Sequence, residues 1–228
     1  MGQRPVLSYR GGQSPFVVAH RAGNRLAALD AVQRSDALAE ADVHLFRGRL
    51  EVRHLKTVGP LPILWDRWTI SAPWRPRLLL HELLAASAEQ TELVLDLKGR
   101  RFRLAGLVLE SLQPYLGSRR FTVCARDWRL LEPFADVPVR SVHSVGSMRQ
   151  LRRFLRQRGG RRVDGVSIHE RLLDAGTVAP LRAVADVIMT WPVNRPERAR
   201  ELLRLGVDGL ITDDLAAISG LGAIGPTQ

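Results

Sequence analysis

Short apolar runs alternate with amphipathic stretches along the chain. Most of these runs are continuously apolar, which is typical of parallel strands buried on both faces. They predict strands at 16–20, 38–45, 50–54, 92–97, 120–125, 138–143, 163–168, 186–191 and 208–212. The stretches between them predict helices at 25–36, 79–88, 103–115, 127–134, 147–158, 170–184 and 196–205. Strands that alternate with helices over this length indicate an α/β fold.

The number of strands favours a (β/α)₈ TIM barrel that forms one domain over residues 1–228. If 50–54 is an antiparallel return from 38–45 across the turn R-G-R, eight principal strands remain. Such a barrel takes about 250 residues, and this chain has 228. An open doubly wound sheet is the alternative. That sheet usually carries a Gly-rich phosphate loop after its first strand, and the sequence H-R-A-G-N at 20–24 lacks this pattern.

Composition adds a strong positive charge, with a formal net charge of +11. Almost all basic residues are arginines, and the lysines are Lys56 and Lys98. A GC-rich genome can produce such a bias, so we expect no nucleic acid partner. The basic segment 149–162 is interpreted as a solvated face, with peripheral contact to an anionic membrane as the alternative.

The lack of a recognisable targeting or membrane-spanning segment, together with the single cysteine, favours a cytoplasmic location. We find no run of 18 or more apolar residues and no apolar secretory signal at the start of the chain. Cys124 is the single cysteine, so no internal disulfide can form. We interpret Cys124 as a small buried residue of the fourth strand.

Charged residues follow or interrupt several of the predicted buried strands. In a barrel, chemistry belongs at the carboxyl ends of the strands. Side chains alternate along a strand, so Glu40 and Asp42 point to one side, and Asp96 can add a third carboxylate. A cation between them would offset their repulsion, and oxygen ligands suit Mg²⁺ or Ca²⁺.

Two histidines and two basic side chains are predicted at the same rim. His20 and Arg21 end the first strand, His54 ends the segment 50–54, and Lys98 follows Asp96 by two positions. Histidines beside a phosphate can act as general acid and general base. Arginine and lysine can stabilise charge on phosphate oxygens. The sequence therefore predicts a site for an anionic substrate and a divalent metal.

Six short motifs in this order resemble the glycerophosphodiester phosphodiesterases, a family of the barrel superfamily that includes the phosphatidylinositol-specific phospholipases C. The motifs span most of the chain, and together they are more specific than any one alone. They are A-H-R (19–21), E-A-D (40–42), V-R-H (52–54), L-D-L-K (95–98), W-P-V-N (191–194) and G-V-D-G-L-I-T-D (206–213).

The resemblance implies a metal-dependent hydrolase that converts glycerophosphodiesters to glycerol 3-phosphate and an alcohol. In that family a substrate hydroxyl attacks first, and water then opens the resulting cyclic phosphate. By the match, His20 and His54 are the acid–base pair. Glu40, Asp42 and Asp96 bind the metal. Arg21 and Lys98 bind the phosphate, and Trp191 faces the substrate.

The sequence departs from the family pattern at four places. Ala22 stands where the family has Gly, N-R-L-A-A-L-D (24–30) replaces P-E-N-T, Leu55 replaces the Asp of H-D, and Asp96 replaces a Glu. The shorter carboxylate resembles the sphingomyelinase D-like branch of the superfamily. A cut in a lysophospholipid with a cyclic phosphate product is therefore an alternative. A non-catalytic basic protein that binds anionic membrane or nucleic acid is the other.

Overall fold

In the computed structural model, which describes residues 15–57, 63–66, 69–71 and 76–219, eight parallel strands form a closed barrel. Each strand pairs in parallel with the next, and β1 pairs with both β2 and β8. The predicted (β/α)₈ TIM barrel is confirmed. The strands are β1 (Phe16–Ala19), β2 (Leu38–Phe46), β3 (Leu93–Lys98), β4 (Phe121–Ala125), β5 (Arg140–Val145), β6 (Val163–His169), β7 (Ala185–Trp191) and β8 (Gly209–Thr212).

Helices cover the outside of the barrel. They are α1 (Leu26–Gln33), α2 (Leu80–Ala86), α3 (Phe102–Leu112), α4 (Met148–Arg158), α5 (Ala175–Val184), α6 (Pro196–Arg204) and α7 (Leu215–Ser219). Short 3₁₀ helices lie at Ala22–Asn24, Gln113–Tyr115, Trp128–Phe134 and Glu170–Leu172. Among the described residues, none of these helices has the length and apolar character that would let it cross a bilayer.

The predicted α-helix at 127–134 is wrong in type. Trp128–Phe134 is a 3₁₀ helix, and it contains Pro133. Proline lacks the backbone N–H for an α-helical hydrogen bond, and its ring clashes with the preceding turn. The outer layer between β4 and β5 is therefore formed by a short, tight segment.

The predicted antiparallel return is confirmed. Arg49–Val52 pairs antiparallel with β2, and Arg47 and Gly48 make the turn with positive φ angles. Leu78–Leu79 extends this edge. A small three-stranded sheet of Lys56–Thr57, Leu64–Asp66 and Thr69–Ser71 lies in the segment between β2 and β3, and the sequence analysis did not predict it.

The core has an inner and an outer part because alternate side chains on a strand face opposite ways. The barrel lumen is filled by large and small apolar side chains, including Phe16, Val18, Val94, Cys124 and Met189. Cys124 is buried on the fourth strand, as predicted. The outer cores lie between strands and helices, and they form two separate clusters.

The lumen leaves no space beside Gly209. A Cβ there would lie 2.4 Å from the Phe16 ring and 3.0 Å from Met189 Cγ. We expect Gly209→Ala to lower the free energy of unfolding by about 1–3 kcal/mol through overpacking, measured by urea denaturation. Gly106→Ala in α3 is the control, because no atom of the described residues would lie within 4 Å of its Cβ. That change should stabilise the protein by about 0.5–1 kcal/mol. Equal effects of the two substitutions would contradict this packing.

Candidate active site

The register of the parallel strands brings the candidate catalytic groups together at the carboxyl end of the barrel. β2 pairs with β3 so that Asp42 lies opposite Asp96. His20 directly follows β1, and its N–H donates to the carbonyl of Thr212 at the end of β8. These neighbours in the barrel are far apart in sequence, so the closed sheet is what brings them together.

Glu40, Asp42 and Asp96 form a compact acidic cluster. One carboxylate oxygen from each lies within 4.8 Å of the others. Glu40 and Asp42 are 4% and 1% exposed, so water screens their repulsion little. Burial and the nearby charges of Asp42 and Asp96 raise the pKa of Glu40 well above its usual value. Burial also raises the pKa of Asp96, although Lys98 opposes that rise.

Lys98 is the cation closest to this cluster among the described residues. Its Nζ lies 2.6 Å from Asp42 Oδ1 and also contacts Asp96. Burial would lower the pKa of Lys98, but the charges of Asp96, Asp42 and Glu40 outweigh burial and raise it. One ammonium group does not balance three ionised carboxylates, so full ionisation of the cluster requires a further positive charge.

The donor set fits a divalent cation. Asp96 Oδ1 is buried and has no hydrogen-bond partner among the residues that the structure describes, which leaves an acceptor oxygen in the same space as the other two carboxylates. Ligands that are all carboxylate oxygens are those that Mg²⁺ and Ca²⁺ prefer, whereas zinc favours nitrogen and sulfur. The residues therefore fit the metal that the sequence analysis predicted.

His54 joins the site through the antiparallel return. Arg53 N–H donates to the Asp42 carbonyl at 3.0 Å, and His54 Nδ1 lies 3.3 Å from Asp42 Oδ2. Burial would raise the pKa of Asp42, but hydrogen bonds from His54, Lys98 and Asn24 outweigh burial and lower it. Asp42 therefore stays ionised beside the histidine, although Leu55 replaces the family's Asp.

His20 is oriented by Asp213, a residue to which the sequence analysis gave no role. His20 Nδ1 lies 2.7 Å from Asp213 Oδ1. Asn194 holds that carboxylate, since its Nδ2 donates to Asp213 Oδ2 at 3.1 Å and its Oδ1 accepts from the Asp213 N–H at 2.9 Å. Burial lowers the pKa of His20, and Asp213 acts in the opposite direction. The motifs W-P-V-N and I-T-D thus meet behind the histidine.

The loop at 22–24 holds Asp42, although its sequence departs from the family pattern. Asn24 Nδ2 donates to Asp42 Oδ2 at 2.8 Å, and Asn24 Oδ1 accepts from the Asp42 N–H at 2.9 Å. Gly23 permits this contact, because a Cβ there would lie 2.8 Å from Ala41 Cβ. The sequence signal for this contact was the pair Gly23-Asn24. Its role could not be predicted, because it depends on contact with β2.

Arg21 contributes its backbone as well as its side chain. It lies in the left-handed region with φ 57°, and its N–H donates to Glu40 Oε2 at 2.6 Å. Its Nε lies 3.9 Å from Asp42 Oδ2, and its side chain is 41% exposed. The guanidinium is therefore beside the acidic cluster and open to solvent, as a phosphate ligand would require.

Trp191 lies at the end of β7 and packs against an aromatic neighbour. Its ring is 4.8 Å from the His169 ring, centroid to centroid, in an edge arrangement. Both residues sit at the carboxyl ends of neighbouring strands, where they are paired in register. Trp191 is half-buried, so part of its ring can face a substrate.

Comparison with known proteins agrees with this geometry. The glycerophosphoryl diester phosphodiesterase family matches residues 187–216, a segment that contains Trp191, Asn194 and Asp213. No curated protein matches the chain.

Solved structures from three organisms have the same fold. The glycerophosphodiester phosphodiesterase of Parabacteroides distasonis superposes with a TM-score of 0.72 at 17% identity, covering 92% of this chain and 98% of that one. The enzyme of Thermotoga maritima gives 0.70 at 20% identity, with 92% and 99% covered. An Oleispira antarctica phosphodiesterase in complex with the product sn-glycerol-3-phosphate gives 0.69 at 18% identity, with 88% and 93% covered.

The resemblance that the six motifs indicated is confirmed: the chain has the fold of the glycerophosphodiester phosphodiesterases and, over residues 187–216, the sequence signature of that family.

Proposed function

We propose that the protein is a metal-dependent phosphoric diester hydrolase that converts glycerophosphodiesters to glycerol 3-phosphate and an alcohol. The observation that carries this proposal is the combination at one barrel mouth of an oriented histidine, His20, and the acidic cluster with its lysine. Glu40, Asp42 and Asp96 would hold Mg²⁺ or Ca²⁺. The bound metal would neutralise charge on the phosphoryl oxygens.

His20 and His54 have different surroundings, which suggests a division of roles. Burial favours neutral His20, and the Asp213 carboxylate accepts a hydrogen bond from the Nδ1–H of His20. The Nε2 atom is then left with a lone pair that can accept a proton from an attacking substrate hydroxyl. His54 would donate a proton to the leaving alcohol oxygen as the phosphorus–oxygen bond breaks. The product of this step is a cyclic phosphate.

The second step reverses these proton transfers. Water attacks the cyclic phosphate and gives a proton to His54, while His20 returns its proton to the departing glycerol oxygen. The guanidinium of Arg21 and the ammonium of Lys98, which lie beside Asp42, would stabilise negative charge on phosphate oxygens. Trp191 would contact the organic part of the substrate.

The lysophospholipid-directed branch differs from this proposal in its product. Asp96 in place of the family's Glu supports that branch. Phosphorus NMR of two digests separates the two. A cyclic phosphate that persists in a lysophospholipid digest indicates that branch, whereas glycerol 3-phosphate released from a soluble diester indicates the main proposal.

The proposal is tested by the metal requirement. With glycerophosphocholine as substrate, chelator should abolish release of glycerol 3-phosphate, and added Mg²⁺ or Ca²⁺ should restore it. A thermal melt in chelator checks that the protein stays folded. Full turnover in chelator would contradict the proposed role of the carboxylates.

The orientation of His20 by Asp213 gives a second prediction. His20→Ala should reduce kcat by about 10²–10⁴-fold, the usual contribution of a general base. Asp213→Asn keeps the shape but removes the charge beside Nδ1, so kcat should fall by about 10–100-fold with KM nearly unchanged. Asp186→Asn, which breaks a surface pair with Arg162, is the matched control and should leave both constants unchanged. A change in KM alone for Asp213→Asn would refute the positioning role.

A further inference from the structure

A cavity of about 670 Å³ opens in the outer layer of the barrel at β5. It lies between the 3₁₀ helix Trp128–Phe134 and α4, where a full α-helix would otherwise cover the strands. The two outer apolar cores stop on either side of this place: one ends at Val139 and the other begins at Val145. The cavity therefore sits at a break in the apolar layer.

The floor of the cavity is polar where the outer layer is otherwise apolar. Ser141 and His143 face outward from β5, since Val142 between them fills the lumen. They are 9% and 7% exposed. Ser141 Oγ and His143 Nδ1 have no hydrogen-bond partner among the described residues, while His143 also bonds the backbone of Gly165. An unpaired buried polar atom destabilises the fold, so two in one cavity indicate a polar ligand.

Arginines line the cavity and are held by aromatic rings. The rings of Trp128, His143 and Phe154 lie 5.5–5.8 Å apart. The Arg153 guanidinium lies 5.3 Å from the Trp128 ring, and that of Arg158 lies 5.6 Å from the Phe154 ring. Stacking fixes the plane of a guanidinium and leaves its N–H groups available for hydrogen bonds.

Arginines outnumber carboxylates in the lining of the cavity, five to three. Asp127 pairs with Arg129 at 2.6 Å, and Asp164 accepts the Ser141 N–H at 2.8 Å. Glu132 lies at the exposed rim. Within the described part of the chain, Arg153 and Arg158 form no ion pair, and Arg158 Nε is buried without a hydrogen-bond partner. The cavity therefore keeps a positive potential above neutral hydrogen-bonding groups.

We propose that this cavity binds the phosphate group of a small molecule or lipid, at a site separate from the barrel mouth. Phosphate oxygens would accept hydrogen bonds from Arg153, Arg158 and Ser141, and a phosphate hydroxyl would donate to His143 Nδ1, because the ring N–H already bonds the Gly165 backbone. A phosphate has enough acceptor oxygens to satisfy these donors together, which a single carboxylate has not. The apolar walls beside Trp128 would contact the organic part of the ligand.

The experiment is a titration of metal-free protein with inorganic phosphate, followed by NMR of the histidine ring protons. A saturable shift of the His143 resonance is expected. Resonances of His20 and His54 report any phosphate bound at the barrel mouth, so the two sites are read separately in one sample.

Arg153 and Arg152 are neighbours on α4 and provide matched variants. Arg153→Gln, alone and with Arg158→Gln, should raise the phosphate Kd at His143 by about tenfold or more. Arg152→Gln should leave it within about twofold, because Arg152 does not line the cavity. Both positions are exposed on the helix, so neither single change should prevent folding.

Vesicles distinguish the source of the phosphate. If the ligand is a lipid headgroup, vesicles with phosphatidic acid should retain the wild type and Arg152→Gln but not Arg153→Gln. If it is a free organic phosphate, the NMR shift should appear without such retention. No saturable shift at His143 together with no variant-sensitive vesicle binding would overturn the proposal, as would an equal Kd in wild type and Arg153→Gln.

Discussion

Mutual repulsion among three closely spaced carboxylates, two of them buried, is the constraint on which the site of this protein depends. Glu40, Asp42 and Asp96 share a space less than 5 Å across, and burial makes their charges strongly felt. Each neighbouring feature reduces that cost. Lys98 supplies a positive charge, Arg21 N–H donates to Glu40, and Asn24 donates to Asp42. A divalent cation would supply the remaining charge.

The same constraint explains two local structures that would otherwise look unrelated. The loop after β1 turns sharply at Arg21 and packs Gly23 against Ala41, which brings Asn24 to Asp42. The antiparallel return after β2 is bonded to Asp42 through the Arg53 N–H and carries His54 to the same carboxylate. Asp42 is therefore the residue that joins the acidic cluster to the proposed acid–base chemistry.

Strand periodicity predicted an α/β fold, because burial on both faces gives continuous apolar runs. The count of eight principal strands then favoured the barrel over an open sheet. Strand periodicity also predicted that Glu40 and Asp42 share a face and lie near Asp96. It did not predict the role of Asp213, whose contact with His20 spans 193 residues and exists only because β8 closes against β1. Asn24 was missed for a related reason, since its partner is on another strand. The prediction of an α-helix at 127–134 was wrong, because Pro133 disfavours an α-helix there despite the apolar pattern.

The structure explains part of the positive charge of the chain. A net charge of +11 does not by itself identify a partner. Arg153 and Arg158, however, stack on aromatic rings above Ser141 and His143, and neither forms an ion pair with a described residue. Part of the arginine excess is therefore organised around a polar cavity, at a distance along the sheet from Asp42.

The most direct test of the central claim is the unfolding free energy of the metal-free protein as Mg²⁺ or Ca²⁺ is added. If the three carboxylates form one metal site, stability should rise with metal concentration and gain about 2.7 kcal/mol at a hundredfold excess over Kd. The gain should be lost in Asp96→Asn. Stability that does not respond to metal, or an equal gain in Asp96→Asn, would contradict the claim.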